Sequence, residues 1–71
     1  MKLNIVIYPD ETGGYVAECP ALPGCVSQGE TLSETRKNIR DAIRLYLEVM
    51  NEQTKKEKRR HPHGRLITVS P

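Results

Sequence analysis

The acidic side chains are the first residues of this sequence that could carry out chemistry, because several carboxylates at one point can bind the metal ions of a nuclease. Such a site usually takes one carboxylate from the middle of a strand, yet residues 2–8, the first strand-like segment, contain no acid. Asp10 and Glu11 fall in a turn, and Asp41 and Glu48 fall on a predicted helix. The pattern is typical of solvated surface charge, and a nuclease is not predicted.

The cysteines and histidines offer a second possible chemistry, the binding of zinc. Cys19 and Cys25 are separated by five residues, whereas zinc sites usually space their cysteines by about two to four. His61 and His63 lie in a polar stretch without apolar residues, and cysteines in strands are more often small buried apolar residues. No cysteine or serine has a base that the spacing assigns to it, and no phosphate loop is present. We therefore predict no metal, no cofactor and no catalysis.

A run of basic residues near the end of the sequence could contact nucleic acid. The run consists of Lys55, Lys56, Lys58, Arg59 and Arg60. Residues 55–71 carry six basic and one acidic side chains, a balance of +5, whereas residues 1–54 carry five basic and eight acidic ones, a balance of −3. Such a run binds phosphates, but it has no aromatic residue to stack on bases, so any binding through residues 55–65 is expected to be unspecific. The same charges could instead complement the carboxyl end of a preceding helix.

The first part of the sequence predicts a meander of three short strands. Apolar and polar residues alternate over residues 2–8, which is typical of a half-buried strand. Its inward-facing residues are Leu3, Ile5 and Ile7. A glycine-containing turn leads to a second strand over residues 15–19, which completes a hairpin. The two prolines in residues 20–24 exclude a central strand there, so that segment is a rigid connection to a third strand over residues 25–28.

One long amphipathic helix follows the strands. Thr31 and Glu34 fit a capping box, in which the Thr31 hydroxyl accepts a hydrogen bond from an amide of the first turn. Apolar residues then recur at helical spacing and define one face, which consists of Leu32, Ile39, Ala42, Ile43, Tyr46, Leu47 and Met50. The spacing predicts a helix over residues 32–50. The polar residues 51–64 either extend it into solvent or form a linker, and Pro62 ends any such extension.

A last strand is predicted over residues 65–69, where apolar and β-branched residues return. The order is therefore β-β-β-α-β in one α+β domain that spans residues 1–71. It comprises a three-stranded antiparallel meander, one helix on one sheet face, and a fourth strand parallel to the first if the crossover is right-handed. The other face carries Val6 and Tyr8 and has no further element to cover it, which favours a homo-dimer, a higher oligomer or a bound partner.

The sequence contains no predicted membrane segment. No apolar run approaches the ~18 residues needed to cross a bilayer, and the first residues lead directly into a strand instead of a signal peptide. We therefore expect a cytoplasmic protein, in which Cys19 and Cys25 stay reduced.

Three motifs resemble the HicB-like antitoxins. They are Gly14-Tyr15, the loop Pro20-Ala21-Leu22-Pro23-Gly24-Cys25, and Gly29-Glu30-Thr31 at the start of the helix. The helix after them is similar too, so the resemblance covers residues 3–50. Two positions depart from the pattern: Thr35 stands where these helices often carry alanine, and Cys19 stands where a larger apolar residue is common.

The resemblance implies a fold, a partner and a function. The fold is a partial ribonuclease-H-like fold without the nuclease carboxylates. The partner is a HicA-like toxin, a small RNA-cleaving protein with a double-stranded-RNA-binding-like fold, in a type II toxin-antitoxin pair. Neutralisation of that toxin by occlusion is the favoured function. The alternatives are nucleic-acid binding through residues 55–65 and an oligomerisation module without a toxin.

We predict that the partner contacts the proline-containing loop and its surroundings. The predicted partner-binding residues are Tyr15, Pro20, Leu22, Pro23 and Gly24. Prolines lower the entropic cost of ordering a loop on binding, and an acidic body would attract the basic RNA-binding surface of a toxin. The alternative is that Leu22 only fills the core and that Pro23 and Gly24 only turn the chain.

Overall fold

The computed structural model describes residues 2–69, which form a three-stranded sheet followed by one long helix. The elements are β1 (Val6–Pro9), β2 (Tyr15–Glu18), β3 (Val26–Gly29) and α1 (Leu32–Arg60). The sheet order is β1-β2-β3 and both strand pairs are antiparallel. The predicted α+β class and the three-stranded meander are therefore confirmed. The ends of the predicted domain, Met1, Ser70 and Pro71, lie outside the described residues.

A tight turn joins β1 to β2 and sets their register. The Asp10 amide donates to the Gly14 carbonyl, and the Gly13 amide donates to the Asp10 carbonyl, both at 3.0 Å. Gly13 and Gly14 have φ angles of 102° and 73°, a left-handed backbone that glycine adopts without steric cost. The turn pairs Ile7 with Ala17 across the hairpin. Both side chains therefore point towards the same face, where the core lies.

The predicted alternation of the first strand is confirmed, although its ladder is shorter than predicted. The residues that pack against the buried core are Leu3, Ile5 and Ile7. Val6 and Tyr8 point to the other face and are exposed. β1 starts only at Val6 because β2 ends at Glu18, opposite Val6. Residues 2–5 continue past the end of β2 without a partner strand in the described part of the chain.

The core lies between the sheet and α1 and is small. Its buried apolar members include Ala17, Cys19, Leu22, Cys25 and Ile39. Half-buried side chains from the first strand and from α1 surround them. A small core is expected for a chain of 71 residues, because a domain of about 60 residues buries only about 60% of the surface that its unfolded chain exposes.

The start of α1 follows the predicted cap. The Glu34 amide donates to the Thr31 side-chain oxygen at 3.1 Å, and Thr31 has the extended backbone of an N-cap. In the next turn Thr35 is fully buried, and its hydroxyl donates to the Thr31 carbonyl at 2.7 Å. Thr35 is the position at which similar helices often carry alanine. Its hydroxyl is buried here, and its hydrogen bond is satisfied.

Removal of this cap is expected to cost about 1 kcal/mol, the usual loss when a threonine at an N-cap becomes alanine. Thr31→Ala should therefore lower the melting temperature by roughly 4–8 °C in a domain of this size. Ser33→Ala is the control, because Ser33 is exposed in the same turn and does not cap the helix. Thermal melts followed by circular dichroism compare the variants, and equal melting temperatures would contradict the capping role.

α1 extends far beyond the sheet. Its 29 residues span about 43 Å, whereas each strand of four residues spans about 13 Å. Of the two possibilities for residues 51–64, the helical extension is the one observed, and it continues to Arg60. Two residues of the predicted apolar face are exposed: Leu32, at the first position of α1, and Met50, in the part of the helix that extends beyond the core. No helix within residues 2–69 is long and apolar enough to cross a membrane.

The predicted fourth strand is not present in the structure. Residues 65–69 lie outside any strand, and their apolar side chains are exposed. The Gly64 amide donates to the His61 carbonyl at 2.8 Å, and this turn leads the chain back beside the last turns of α1. α1 continues to Arg60, and residues 65–66 line a pocket with its last turns instead of lying on the sheet. The sheet of a single chain therefore has three strands within residues 2–69, and the predicted ribonuclease-H-like arrangement is incomplete there.

Candidate functional site

The segment that joins β2 to β3, residues 20–24, is held by hydrogen bonds and is called the proline loop below. The Cys19 amide donates to the Cys25 carbonyl at 3.0 Å and closes its base. Inside the loop, the Leu22 amide donates to the Cys19 carbonyl at 3.0 Å, and the Cys25 amide donates to the Leu22 carbonyl at 2.9 Å. Gly24 has a φ of 82°, which the second turn requires. The proline loop therefore consists of two hydrogen-bonded turns on a closed base.

The proline loop turns one side chain inward and leaves others at the surface. Leu22 is buried in the core, so it anchors the loop and is not accessible to a partner. Pro20, Pro23 and Gly24 are exposed. Of the predicted contact residues in the loop, these exposed ones can meet a partner directly, whereas Leu22 can act only by holding them in place.

Tyr15 lies at the opposite end of β2 from the proline loop. It is half-buried and is paired with Pro9 on one side and Gly29 on the other. Pro20 follows five positions later, which corresponds to about 16 Å of extended strand. Tyr15 lines a polar cleft of about 370 Å³ whose other lining residues include Asp10, Glu30 and Glu34. The structure therefore places Tyr15 in an acidic cleft and does not bring it together with the proline loop.

An open apolar groove of about 400 Å³ borders the proline loop. Gly24 and Val26 lie on one side of the groove, and α1 contributes Leu45, Val49 and Met50 on the other, all largely exposed. The predicted apolar face of the helix omits Leu45 and Val49, because they lie to one side of the stripe that packs on the sheet. Their own i, i+4 spacing is the signal in the sequence that could have identified this groove.

The glycines of two of the motifs allow the hairpin to approach the helix closely. A β-carbon at Gly14 would lie 2.5 Å from the Gly29 carbonyl oxygen. A β-carbon at Gly29 would lie 2.8 Å from both the amide nitrogen and the hydroxyl oxygen of Thr35. A β-carbon essentially never lies within 3.0 Å of another non-bonded heavy atom, so neither position has room for a side chain. Gly14, Gly29 and Thr35 therefore form a close stack, and packing within the domain accounts for these glycines without a partner.

The cysteines and histidines lie in different parts of the molecule. Cys19 and Cys25 are buried thiols in the core, whereas His61 and His63 follow the end of α1 and are exposed. Across residues 2–69, no three His, Cys, Asp or Glu side chains are placed to hold a metal ion. Burial raises the pKa of the Cys25 thiol, and the neighbouring Cys19 raises it further. A raised pKa keeps Cys25 in its unreactive, protonated form.

Both thiols are expected to resist modification in the folded protein. At pH 8, labelling by a disulfide reagent should be on the order of 100-fold slower without urea than in urea, because a buried thiol reacts only after local opening. Absorbance of the released thiolate measures the rate, with glutathione as the freely accessible control. Rapid labelling of either cysteine in the folded protein would contradict its position in the core.

The predicted nucleic-acid segment lies on the exposed end of α1. Lys55 pairs with Glu52 at 3.4 Å and Arg60 pairs with Glu57 at 3.1 Å, and all four side chains are at the surface. Exposed pairs of this kind contribute at most about 1 kcal/mol. The last helical turn contains Lys58, Arg59 and Arg60. Positive charge there complements the carboxyl end of the helix dipole, so the helix itself accounts for part of the basic run.

Several known proteins are similar to this chain, and most of them are UPF0150 proteins. The one from Thermoplasma acidophilum is 46% identical over 56 residues, which cover 79% of this chain and 81% of that protein. The one from Archaeoglobus fulgidus is 51% identical over 49 residues, which cover 69% and 71%. The one from Synechocystis is 48% identical over 56 residues, which cover 79% and 77%. No solved structure gives a significant match.

A protein-family model matches residues 3–67, and its description is the HicB-like antitoxin of bacterial toxin-antitoxin systems. The match includes the hairpin, the proline loop, α1 and most of the segment after it. The resemblance stated from the sequence motifs is thereby confirmed. This chain belongs to the HicB-like antitoxin family.

Proposed function

We propose that this protein neutralises a HicA-like, RNA-cleaving toxin by binding it, as one half of a type II toxin-antitoxin pair. Membership of the HicB-like antitoxin family supports a role of this kind. The protein then acts by covering the surface with which the toxin binds RNA, and it needs no catalysis of its own. We expect it to act as a homo-dimer or higher oligomer in the cytoplasm, where the RNA substrates of such a toxin are found.

The proline loop and the apolar groove are the surface that we propose for toxin binding. The observation that most supports this choice is that an exposed, hydrogen-bonded loop adjoins exposed apolar side chains of α1. Exposed apolar patches often mark interaction sites, and a loop that is already ordered loses little entropy on binding. Leu45 and Val49 are 62% and 50% exposed, so their burial in a complex would contribute about 1–2 kcal/mol each, roughly half the value for a fully exposed side chain.

The acidic cleft around Tyr15 is the second contact that we propose. An RNA-binding toxin presents a basic surface, and the carboxylates of Asp10, Glu30 and Glu34 line the cleft. Complementary charge speeds the encounter of two proteins and orients them. Because exposed charge pairs add little affinity, we assign most of the affinity to the groove and the faster association to the cleft. Raising the salt concentration should then slow association more than it speeds dissociation.

Co-expression with each small open reading frame adjacent to this gene tests the proposed function, since toxin and antitoxin of such a pair are expected to be neighbours. One of these neighbours is expected to co-purify with this protein. Expression of the neighbour alone should arrest growth, and simultaneous expression of this protein should relieve the arrest. Growth arrest that persists in the presence of folded antitoxin would contradict neutralisation.

A matched pair of variants tests the proposed contact. Val49 and Leu32 are 50% and 51% exposed and lie on the same helix, but only Val49 lines the groove. Val49→Asp should weaken toxin binding by at least ~100-fold, because a charge would be buried in an apolar contact. Leu32→Asp should leave binding unchanged, and circular dichroism should show both variants to be helical. If the two variants bind the toxin equally well, the groove is not the contact surface.

Nucleic-acid binding through residues 55–65 is the alternative function, and the exposed basic end of α1 favours it. It predicts an affinity for RNA or DNA that falls steeply with salt and is abolished by Lys56→Glu together with Arg59→Glu. Toxin neutralisation should survive those substitutions. An oligomerisation module without a toxin instead predicts a stable homo-oligomer and no co-purifying neighbour.

A further inference from the structure

The C-terminal segment, residues 65–69, has the sequence of a strand but the surroundings of a solvated chain. Leu66, Ile67 and Val69 are between 59% and 79% exposed. Apolar and β-branched residues are enriched in strands because such side chains pack well on a half-buried sheet. In a single chain these side chains therefore lack the apolar surface that their pattern indicates.

β1 offers a free edge to which a strand can be added. It is the first strand in the sheet order β1-β2-β3, so its outer backbone amides and carbonyls have no neighbouring strand within residues 2–69. Residues 2–5 prolong this edge, since Leu3 and Ile5 maintain the inward alternation of β1. An unpaired edge is a template for a strand from another chain.

The core face beside β1 is incompletely covered. α1 packs mainly on β3 and β2, and the inward residues Leu3, Ile5 and Ile7 remain only half-buried. Residues two positions apart in a strand share a face, so Ile67 and Val69 point to one side of the segment. If residues 65–69 formed a strand on the β1 edge, Ile67 and Val69 could face the core. They would then lie beside the half-buried side chains of β1 and of the residues before it.

The segment cannot form this strand in its own chain while α1 keeps its length. Leu66 and Thr54 line the same pocket at the last turns of α1. Thr54 follows Ile39 by fifteen residues, which is about 22 Å along the helix, and Ile39 packs in the core with Ile7. Residues 67–69 extend about 10 Å at most, so they fall short of the level of Ile7 by about 12 Å.

We propose that residues 65–69 of one chain form a fourth strand on the β1 edge of a second copy, and that the exchange is reciprocal. The dimer is then two-fold symmetric, and each chain supplies the strand that the other lacks. The exchange leaves α1 intact and removes Ile67 and Val69 of both copies from water. This interface uses β1 and the C-terminal segment, so it does not depend on the presence of a toxin.

Solution measurements on the full chain test the strand exchange. Light scattering or sedimentation should give twice the 8.1 kDa mass of one chain. Isotope-filtered NMR on a mixture of labelled and unlabelled chains should show contacts between residues 65–69 of one copy and residues 2–7 of the other. A monomer at high micromolar concentration would overturn the proposal, and so would contacts of residues 65–69 with β1 of the same chain.

Two double variants with the same charge change identify the face that is buried. Ile67→Asp with Val69→Asp places charges on the side proposed to face the core, and the mass should halve to that of one chain. Leu66→Asp with Thr68→Asp places them on the opposite side, and the dimer should persist. Circular dichroism should show unchanged helix content in both, because α1 forms within one chain. If both double variants remain dimeric, the proposed strand exchange is wrong.

Discussion

Ile39→Ala should leave this protein unfolded or barely stable. Ile39 is 1% exposed and is the largest of the fully buried side chains. Replacement of such a residue by alanine costs about 2–5 kcal/mol, through lost burial and the cavity that remains. The whole stability of a domain is about 5–15 kcal/mol, and domains of this length tend to be marginal. Urea unfolding followed by circular dichroism should show a midpoint lower by roughly 2 M or more.

Leu45→Ala is the matched control for this experiment. Leu45 lies on the same helix but is 62% exposed. Surface substitutions usually change stability by no more than about 0.5 kcal/mol, so the urea midpoint should move little. Equal losses in Ile39→Ala and Leu45→Ala would contradict the assignment of Ile39 to the core and of Leu45 to an open groove.

Gly14→Ala should be the second strongly destabilising change. The new β-carbon would lie 2.5 Å from the Gly29 carbonyl oxygen, so the ends of β2 and β3 would have to separate. Gly14 also has a φ of 73°, where a β-carbon adds about 1–2 kcal/mol of strain. Together these effects should lower the melting temperature by at least ~10 °C, since 1 kcal/mol corresponds to roughly 4–8 °C in a domain of this size.

Gly13→Ala separates the close contact from the backbone strain. Gly13 has a φ of 102°, but a β-carbon there would have nothing within 4 Å. The variant should therefore suffer strain without a clash, and its melting temperature should lie between those of the unmodified protein and Gly14→Ala. If Gly13→Ala is as damaging as Gly14→Ala, the contact with Gly29 does not limit stability.

The elements with local signals could be predicted from the sequence. The alternation of Leu3, Ile5 and Ile7 identified the inward face of the first strand because side chains of a strand point alternately to its two faces. Thr31 identified the start of the helix because capping depends on residues within one turn. The prolines identified the connection between β2 and β3, which the structure shows as two hydrogen-bonded turns.

The features that depend on distant parts of the chain could not be predicted. The apolar pattern of residues 65–69 indicates a strand, but a strand also needs a neighbour, and the length of α1 determines whether one is within reach. The separation of Tyr15 from the proline loop, in contrast, was already implied by the predicted second strand, because the two lie at its opposite ends. The burial of Thr35 depends on its close approach to Gly29, which lies on another element.

A titration of RNA cleavage tests the central claim, toxin neutralisation, most directly. A purified HicA-like partner is incubated with a labelled RNA and increasing amounts of this protein, and the intact RNA is measured. Cleavage should fall to background as this protein approaches the molar amount of the toxin. In a second titration, with the toxin at a concentration below the Kd of the unmodified pair, half-inhibition by Val49→Asp should need at least ~100-fold more protein, because the amount needed then follows Kd. Undiminished cleavage at a large molar excess of folded protein would contradict the proposed function.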